Sequence, residues 1–420
     1  MTQRTRTSPS QGSFPGVTEG RMTEPYYTWQ PFETTLAGEA IRWAGKPGLE
    51  AWSAISPATW LLADGLSVEP EQRVLDLRCG VGVCGVLAAR RGADVTLCDD
   101  SFVAVQAARR TLEMNGVPGQ VIHGIVGETA RAALAQRVAV EATLAVAQPS
   151  FDVVLLNAPR GREWVRHLIG VAARVLKPGA KLLLAGPTRG GIKGFIEDAS
   201  EIVGPCHVER IKAGHRLAVA EKIVGQVAHL SEAVSHNRQV CEAVVHGQPV
   251  RFATGPGVFS RGELDAGTRA LVETMVIRPG DTVLDLGCGC GVVGAVAART
   301  ARRVVLVDHS AAALGACRAT LELNGVTNAE ILASDCAGAV RDRRFDVVAT
   351  NPPFHQGLGV EFDVAQQFVR DAARVLVKEG GRLFLVANRF IRYERVMGDL
   401  FSQVKTAYED KRFRVLEAVR

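Results

Sequence analysis

Two segments in the C-terminal half carry residues whose types and spacing could do chemistry: Asp285-Leu-Gly-Cys-Gly-Cys-Gly291 and Asn351-Pro352-Pro353-Phe354. In the first, Gly287, Gly289 and Gly291 permit a tight turn and let a ligand approach the backbone closely. Asp308 closes the next apolar run, Val304-Val-Leu-Val-Asp308, 23 residues after Asp285 (308 − 285). A carboxylate at that place can accept hydrogen bonds from both hydroxyls of a ribose. Asp335, in Ala333-Ser-Asp-Cys336, ends a third run, from where it could accept a bond from an adenine amino group. This is a nucleoside-binding pattern. Gly289-x-Gly291-x-x-Gly294 also satisfies the dinucleotide fingerprint, which is weak by itself. Asp285, the third close glycine and the Asn-Pro-Pro-Phe segment together favour S-adenosylmethionine over NAD. The competing readings are a helix N-cap for Asp308 and an ordinary polar loop residue for Asp335.

The second segment suits transfer to an exocyclic amino group on a planar substrate. Such a nitrogen has its lone pair delocalised into the ring and is a poor nucleophile. The Asn351 side-chain oxygen and the Pro352 carbonyl could accept bonds from its two N–H groups, drawing it toward a tetrahedral shape with the lone pair aimed at a methyl carbon. Pro352 and Pro353 stiffen the loop, and Phe354 offers a face on which a base can stack. The electrophile would come from a sulfonium, so positioning dominates and no strong general base is needed. A paired base would have to be flipped out to enter. Alone, the tetrapeptide also reads as a rigid Asn-Pro turn with a core phenylalanine.

These residues need a scaffold, and the chain supplies one twice. Val74-Leu-Asp-Leu-Arg-Cys-Gly-Val-Gly-Val-Cys-Gly85 matches Val283-Leu-Asp-Leu-Gly-Cys-Gly-Cys-Gly-Val-Val-Gly294 at an offset of 209 residues (285 − 76). Thr111-Leu-Glu-Met-Asn-Gly-Val117 matches Thr320-Leu-Glu-Leu-Asn-Gly-Val326 at the same offset (320 − 111). Phe151-Asp-Val-Val154 and Phe345-Asp-Val-Val348, then Ala173-Arg-Val-Leu176 and Ala373-Arg-Val-Leu376, continue the correspondence. Internal repetition at this length is a duplicated domain. Each copy alternates short apolar runs ending at glycine or aspartate with Ala-rich helical stretches. Helices are expected from Val292 to Thr300 and from Ala311 to Asn324, the latter stopped by Asn324-Gly325. The fold class is α/β: two tandem class I, Rossmann-like domains, each a doubly wound, mostly parallel sheet. Ligands in such sheets bind beyond the carboxyl ends of the strands, where every motif above falls. The expected division is a disordered tail over 1–25, a first copy over 26–224 and a catalytic second copy over 225–420. An Ala-rich insertion between Gly127 and Pro149 could form a helix.

Bulk properties narrow the class. The 420 residues are too many for one ordinary α/β domain. A net charge of +5 permits a polyanionic partner without demanding one. The nine cysteines are odd in number and lack a C-x-x-C pair, which argues against a disulfide framework and for a reducing cytoplasm. Cys288 and Cys290 have no paired His/Cys set at zinc spacing, so no metal is expected. No apolar run is long enough to span a bilayer, and the N-terminus lacks the apolar core of a signal peptide. Oligomeric state is open, with a monomer favoured.

On these motifs the second half resembles the small-domain methyltransferases of the RsmC and RlmG group, which modify guanine N2 in bacterial ribosomal RNA. The likeness covers most of 250–420. Its specific parts are Gly257-Val-Phe-Ser-Arg-Gly-Glu-Leu-Asp-Ala-Gly-Thr268 and Asn351-Pro-Pro-Phe-His-Gln-Gly357, with Asp285 to Gly291 and Val386-Ala-Asn-Arg389 beside them. The resemblance implies that Asn351, Pro352 and Phe354 hold the guanine for catalysis, with Pro353 and His355 beside it. It also implies that Phe259, Leu264, Asp265 and Thr268 flank the cofactor pocket. The implied substrate is ribosomal RNA or a ribosomal subunit, 16S RNA favoured over 23S. Adenine-N6 and protein glutamine-N5 transfer remain alternatives on the same chemistry, and a non-catalytic RNA-binding module is the alternative of another class. In the first copy Arg78 stands at the position of Gly287, and Asn157-Ala158-Pro159-Arg160 replaces the catalytic tetrapeptide. That copy is expected to have lost its site and to serve the fold or grip RNA, with Arg160 and Arg162 as candidate phosphate contacts.

Overall fold

The computed structural model describes residues 25–50, 52–124, 149–223, 239–259, 262–353, 359–377 and 379–420. Residues 1–24 of the expected disordered tail, nearly all of the Gly127–Pro149 insertion, the 224/225 division, Phe354 and His355 lie outside them.

Each copy is a seven-stranded sheet. Numbered by appearance within its own sheet, the strand order is 3-2-1-4-5-7-6 in both. In the second copy these strands are, across the sheet, Ala329–Ala333, Arg303–Asp308, Thr282–Leu286, Val347–Thr350, Arg382–Asn388, Phe413–Val419 and Gln403–Glu409. The first five run parallel, and the last two join antiparallel. The chain reverses direction beside the first strand, which places the cleft above Asp285 and Thr350. The expected tandem, doubly wound architecture is what the chain adopts. The helices of the second copy run over Val292–Ala297 and Ala311–Leu323, close to their expected spans.

An antiparallel hairpin precedes each sheet, Gln30–Leu36 with Glu39–Gly45 and Gln239–Val245 with Gln248–Thr254. The hairpins explain the repeated Thr-Leu-Glu-x-Asn-Gly motif. Thr111 Oγ1 accepts from the Ala44 amide at 3.1 Å, and Thr320 Oγ1 from the Ala253 amide at 3.0 Å. Asn115 and Asn324 close the same lock against the backbones of Arg42 and Arg251. The motif is therefore structural: it ties a helix to a hairpin whose inner face carries Trp43 or Phe252 into the core. Burying one such ring stabilises the fold by about 1.5–3 kcal/mol.

The two copies meet about a pseudo-twofold axis. Ser101 and Ser310, equivalent at the repeat offset, form an antiparallel bridge. The Phe102 amide donates to the His309 carbonyl at 2.8 Å, and the Ala311 amide to the Asp100 carbonyl at 2.9 Å. Each copy thus docks through the loop that follows its own second strand, the ribose edge of a nucleoside site.

Candidate active site

The glycine loop is built around two carboxylates. Asp285 is 1% exposed and accepts from the Gly294 amide at 2.9 Å through Oδ2. Burial, with Asp308 adding, pushes its carboxyl up to about 7, against the lowering effect of the Gly294 bond. Asp308 Oδ2 accepts from the Gly289 amide and Oδ1 from the Ser310 amide, both at 2.9 Å. It braces the loop against the head of the next helix, whose N-cap is Ser310. The capping reading for Asp308 does not hold, because Ser310 is the cap. Two of the lone-pair sites of Asp308 remain for a ligand. Gly287 has φ 77°, and a Cβ there would stand 2.8 Å from the Phe368 ring, so this turn admits only glycine without rearrangement. In the first copy Arg78 does not take the left-handed backbone, and its guanidinium pairs with Glu50 at 3.1 Å.

Above the loop lies a cavity of about 430 Å³. Asp285, Gly287, Gly289, Asp308, Asp335, Phe259, Thr268, Asn351, Pro352 and Pro353 all line it. Gly291 stands one step behind, at the head of the Val292–Ala297 helix. Described sequence-predicted residues therefore converge on one cleft. Phe259 is 53% exposed at its mouth. The glycine cradle, the Asp308 carboxylate and the apolar walls fit an adenosyl cofactor.

At the opposite end of the cleft, Asn351 follows the strand Val347–Thr350. Its Nδ2 donates to Thr268 Oγ1 at 2.9 Å and to Asp265 Oδ2 at 3.1 Å. Asp265 is the N-cap of the helix Ala266–Thr274, and the same Oδ2 accepts from the Thr268 amide at 2.8 Å. A carboxylate only accepts, so it dictates which end of the Asn351 amide turns away. That end, Oδ1, is buried and has no hydrogen-bond partner among the described residues. A buried acceptor left unmade is costly, and Asn351 and Pro352 both line the cleft. The resemblance placed Thr268 at the cofactor; the geometry adds a second duty, holding Asn351. In the first copy Ser56 and Thr59 occupy the positions of Asp265 and Thr268 and receive Asn157 at 3.5 and 3.3 Å. The frame survives there without its carboxylate.

Four cavity residues come from the first copy, and none of them carried a sequence signal: Tyr26, Gly48, Asp100 and Val103. Beside them, Lys46 Nζ reaches Asp335 Oδ2 at 2.7 Å, and the Tyr26 hydroxyl donates to Asp335 Oδ1 at 2.9 Å. The carboxylate expected to face an adenine amino group already carries two bonds across the domain junction. Burial pushes the Tyr26 hydroxyl well up, so it stays a donor. Nothing in a linear motif pairs residue 46 with residue 335.

The methyltransferase small domain family matches residues 40–216 and 249–417. Ribosomal RNA small subunit methyltransferase C of Pseudoalteromonas atlantica is 33% identical over 270 residues, 63% of this chain and 76% of that one. The protein of that name from Hahella chejuensis is 34% identical over 285 residues, 65% of this chain and 79% of that one. The chain belongs to this family. A solved structure, the T. thermophilus 16S rRNA N2 G1207 methyltransferase RsmC in complex with AdoMet and guanosine, superposes with a TM-score of 0.78 at 30% identity, over 94% of this chain and 99% of that one. The family model's separate match to each half coincides with the duplication seen here. Among the described residues no group of three or more His, Cys, Asp or Glu could hold a metal ion, and no helix is long and apolar enough to cross a membrane.

Proposed function

We propose that this protein transfers the methyl group of S-adenosylmethionine to the exocyclic N2 amino group of a guanine in 16S ribosomal RNA. The observation that carries the reading is the buried, unpartnered Oδ1 of Asn351, fixed in orientation by Asp265 and Thr268. When bound, the cofactor supplies an electrophilic methyl on a sulfonium. Asn351 Oδ1 and the Pro352 carbonyl accept the two N2 hydrogens, which localises the lone pair on nitrogen. As the N–C bond forms and the S–C bond electrons return to sulfur, the nitrogen gains positive charge, which both acceptors stabilise. The extra proton then leaves to water. Phe354 supplies the stacking face, with Pro353 and His355 beside the base. Asp308 meets the ribose hydroxyls. Asp285 with the loop glycines holds the sulfonium end, and Phe259, Thr268 and Asp335 close the walls.

The relatives and the superposed structure support the substrate: their names specify the small ribosomal subunit, and one of them was solved with AdoMet and guanosine. On this reading the second copy, 225–420, is catalytic and the first, 26–224, is a lapsed duplicate that supports it. The protein acts as a cytoplasmic monomer with one cofactor per chain, on ribosomal RNA or a ribosomal subunit. Labelled methyl transfer onto undermethylated 30S and 50S subunits, and onto naked RNA from each, tests this. Transfer confined to small-subunit RNA is expected; incorporation into no RNA sinks the proposal.

A further inference from the structure

Beside the active site, a loop holds a large aromatic ring out in water. Phe390 is 60% exposed. The loop is not slack. Arg414, itself 5% exposed, reaches the Ile391 carbonyl and pairs with Glu394, with Nη2 to Oε2 at 2.8 Å. The Ile391 amide donates to the Asn388 carbonyl at 2.9 Å, and the Arg389 amide to the Arg412 carbonyl at 2.9 Å. A ring kept exposed by such bracing forgoes part of the stabilisation that burial would bring, which suits a ring that has a partner.

Its surroundings say which kind. Arg389, Arg392, Lys411 and Arg412 are exposed around it. Arg389 pairs with Glu409 at 2.6 Å. Arg392, Lys411 and Arg412 form no ion pair among the described residues, and Arg412 lies 5.2 Å over the Phe413 ring. Asp410, also here, accepts from the amides of Arg412 and Phe413 and from the Tyr408 hydroxyl. The patch is continuous with the catalytic cleft. Asn388 pairs with Phe413; a Cβ on Gly267 would stand 3.3 Å from the Phe413 ring; and Gly267 lies between Asp265 and Thr268, which hold Asn351. Strand spacing puts Phe390 roughly 10–15 Å from Asn351. In the first copy Pro187 pairs with His215 as Asn388 does with Phe413, so Arg189 stands where the second copy has Phe390. The ring is missing from the copy that also lacks Phe354.

We propose that Phe390 is a stacking platform for an unpaired base of the RNA strand flanking the target guanine, with Arg392 and Arg412 on that strand's phosphates. This rests on the RNA substrate proposed above and deepens it. An aromatic ring among unpaired cations is the arrangement that grips single-stranded nucleic acid, the ring by stacking and the cations by charge.

The test uses whichever substrate, naked 16S RNA or the 30S particle, the unsubstituted protein methylates. Phe390→Ala should raise KM for that RNA roughly 5- to 100-fold, leave cofactor affinity by calorimetry unchanged, and leave the salt dependence of RNA affinity unchanged. Phe390→Trp should restore KM. Arg392→Gln and Arg412→Gln should each reduce the slope of log affinity against log salt by about 0.7. An unmoved KM in Phe390→Ala, or failure of Phe390→Trp to restore it while Phe390→Ala is impaired, overturns this proposal alone. No transfer to any RNA by the unsubstituted protein defeats the substrate reading and this proposal with it.

Discussion

Lys46 and Asp335, 289 residues apart, form an ion pair 2.7 Å long whose side chains are 1% and 10% exposed. The pair spans the two copies and sits at the wall of the cofactor cleft, with the Lys46 ammonium 3.9 Å over the Tyr26 ring. The first copy is thereby bolted to the site it no longer duplicates.

Breaking a buried pair by removing one partner strands the other charge, at a cost of about 3–5 kcal/mol. Lys46→Met should lower stability by that amount in denaturant titration. The double variant Lys46→Met/Asp335→Leu should recover most of it, because no lone charge is left. Equal losses in the single and double variants would show that the pair is not the source.

Asn351 and Asp265 act as one unit. Asn351→Ala should lower kcat about 10²- to 10³-fold, the usual cost of losing one transition-state acceptor or donor. Asp265→Ala leaves Asn351 in place but free to turn, and should lower kcat by up to about 10²-fold. The losses should not multiply in the double variant, and calorimetry should find cofactor affinity little changed in Asn351→Ala. Fully multiplicative losses in steady-state kinetics would separate the two residues.

The buried aspartates give each copy a pH signature. Burial, with Asp99 adding, raises Asp76 to about 7, as burial and Asp308 do for Asp285. In the unfolded chain such a group titrates near 3.8. Between those values the folded state keeps a proton that the unfolded chain has released, so stability falls as pH rises through the window. Asp76→Asn removes one such group. Relative to the unsubstituted protein, its stability should improve by on the order of 2 kcal/mol between pH 5 and pH 8. A difference that stays flat with pH would place the Asp76 proton elsewhere.

One cofactor should bind per chain. In the first copy Arg78 replaces the left-handed Gly287 and pairs with Glu50, and Ser56 replaces Asp265. Calorimetry should give a stoichiometry of one. Two equivalent sites would contradict this.

The fold was legible because both copies keep short apolar runs ending at glycine or aspartate, and the 209-residue offset doubled each signal. The site was legible where one segment carries it: the Asp285–Gly291 loop, Asp308 and Asn351 all fall on the strands' carboxyl edge. Asp265 was visible as a flanking motif, but its hold on Asn351 needs the fold, since 86 residues separate them. The contributions of Tyr26, Lys46 and Asp100 were not legible, because contacts across a domain junction leave no periodicity and no spacing in the chain. The Thr111 and Thr320 motifs were conspicuous as a repeat, yet their work proved to be locking a hairpin to a helix.

The most direct test is mass spectrometry of nuclease digests of 16S RNA treated with the protein and S-adenosylmethionine. The account predicts N2-methylguanosine as the new nucleoside, at a single guanine, and its loss with Asn351→Ala. N6-methyladenosine as the product, or undiminished methylation by Asn351→Ala, would contradict it.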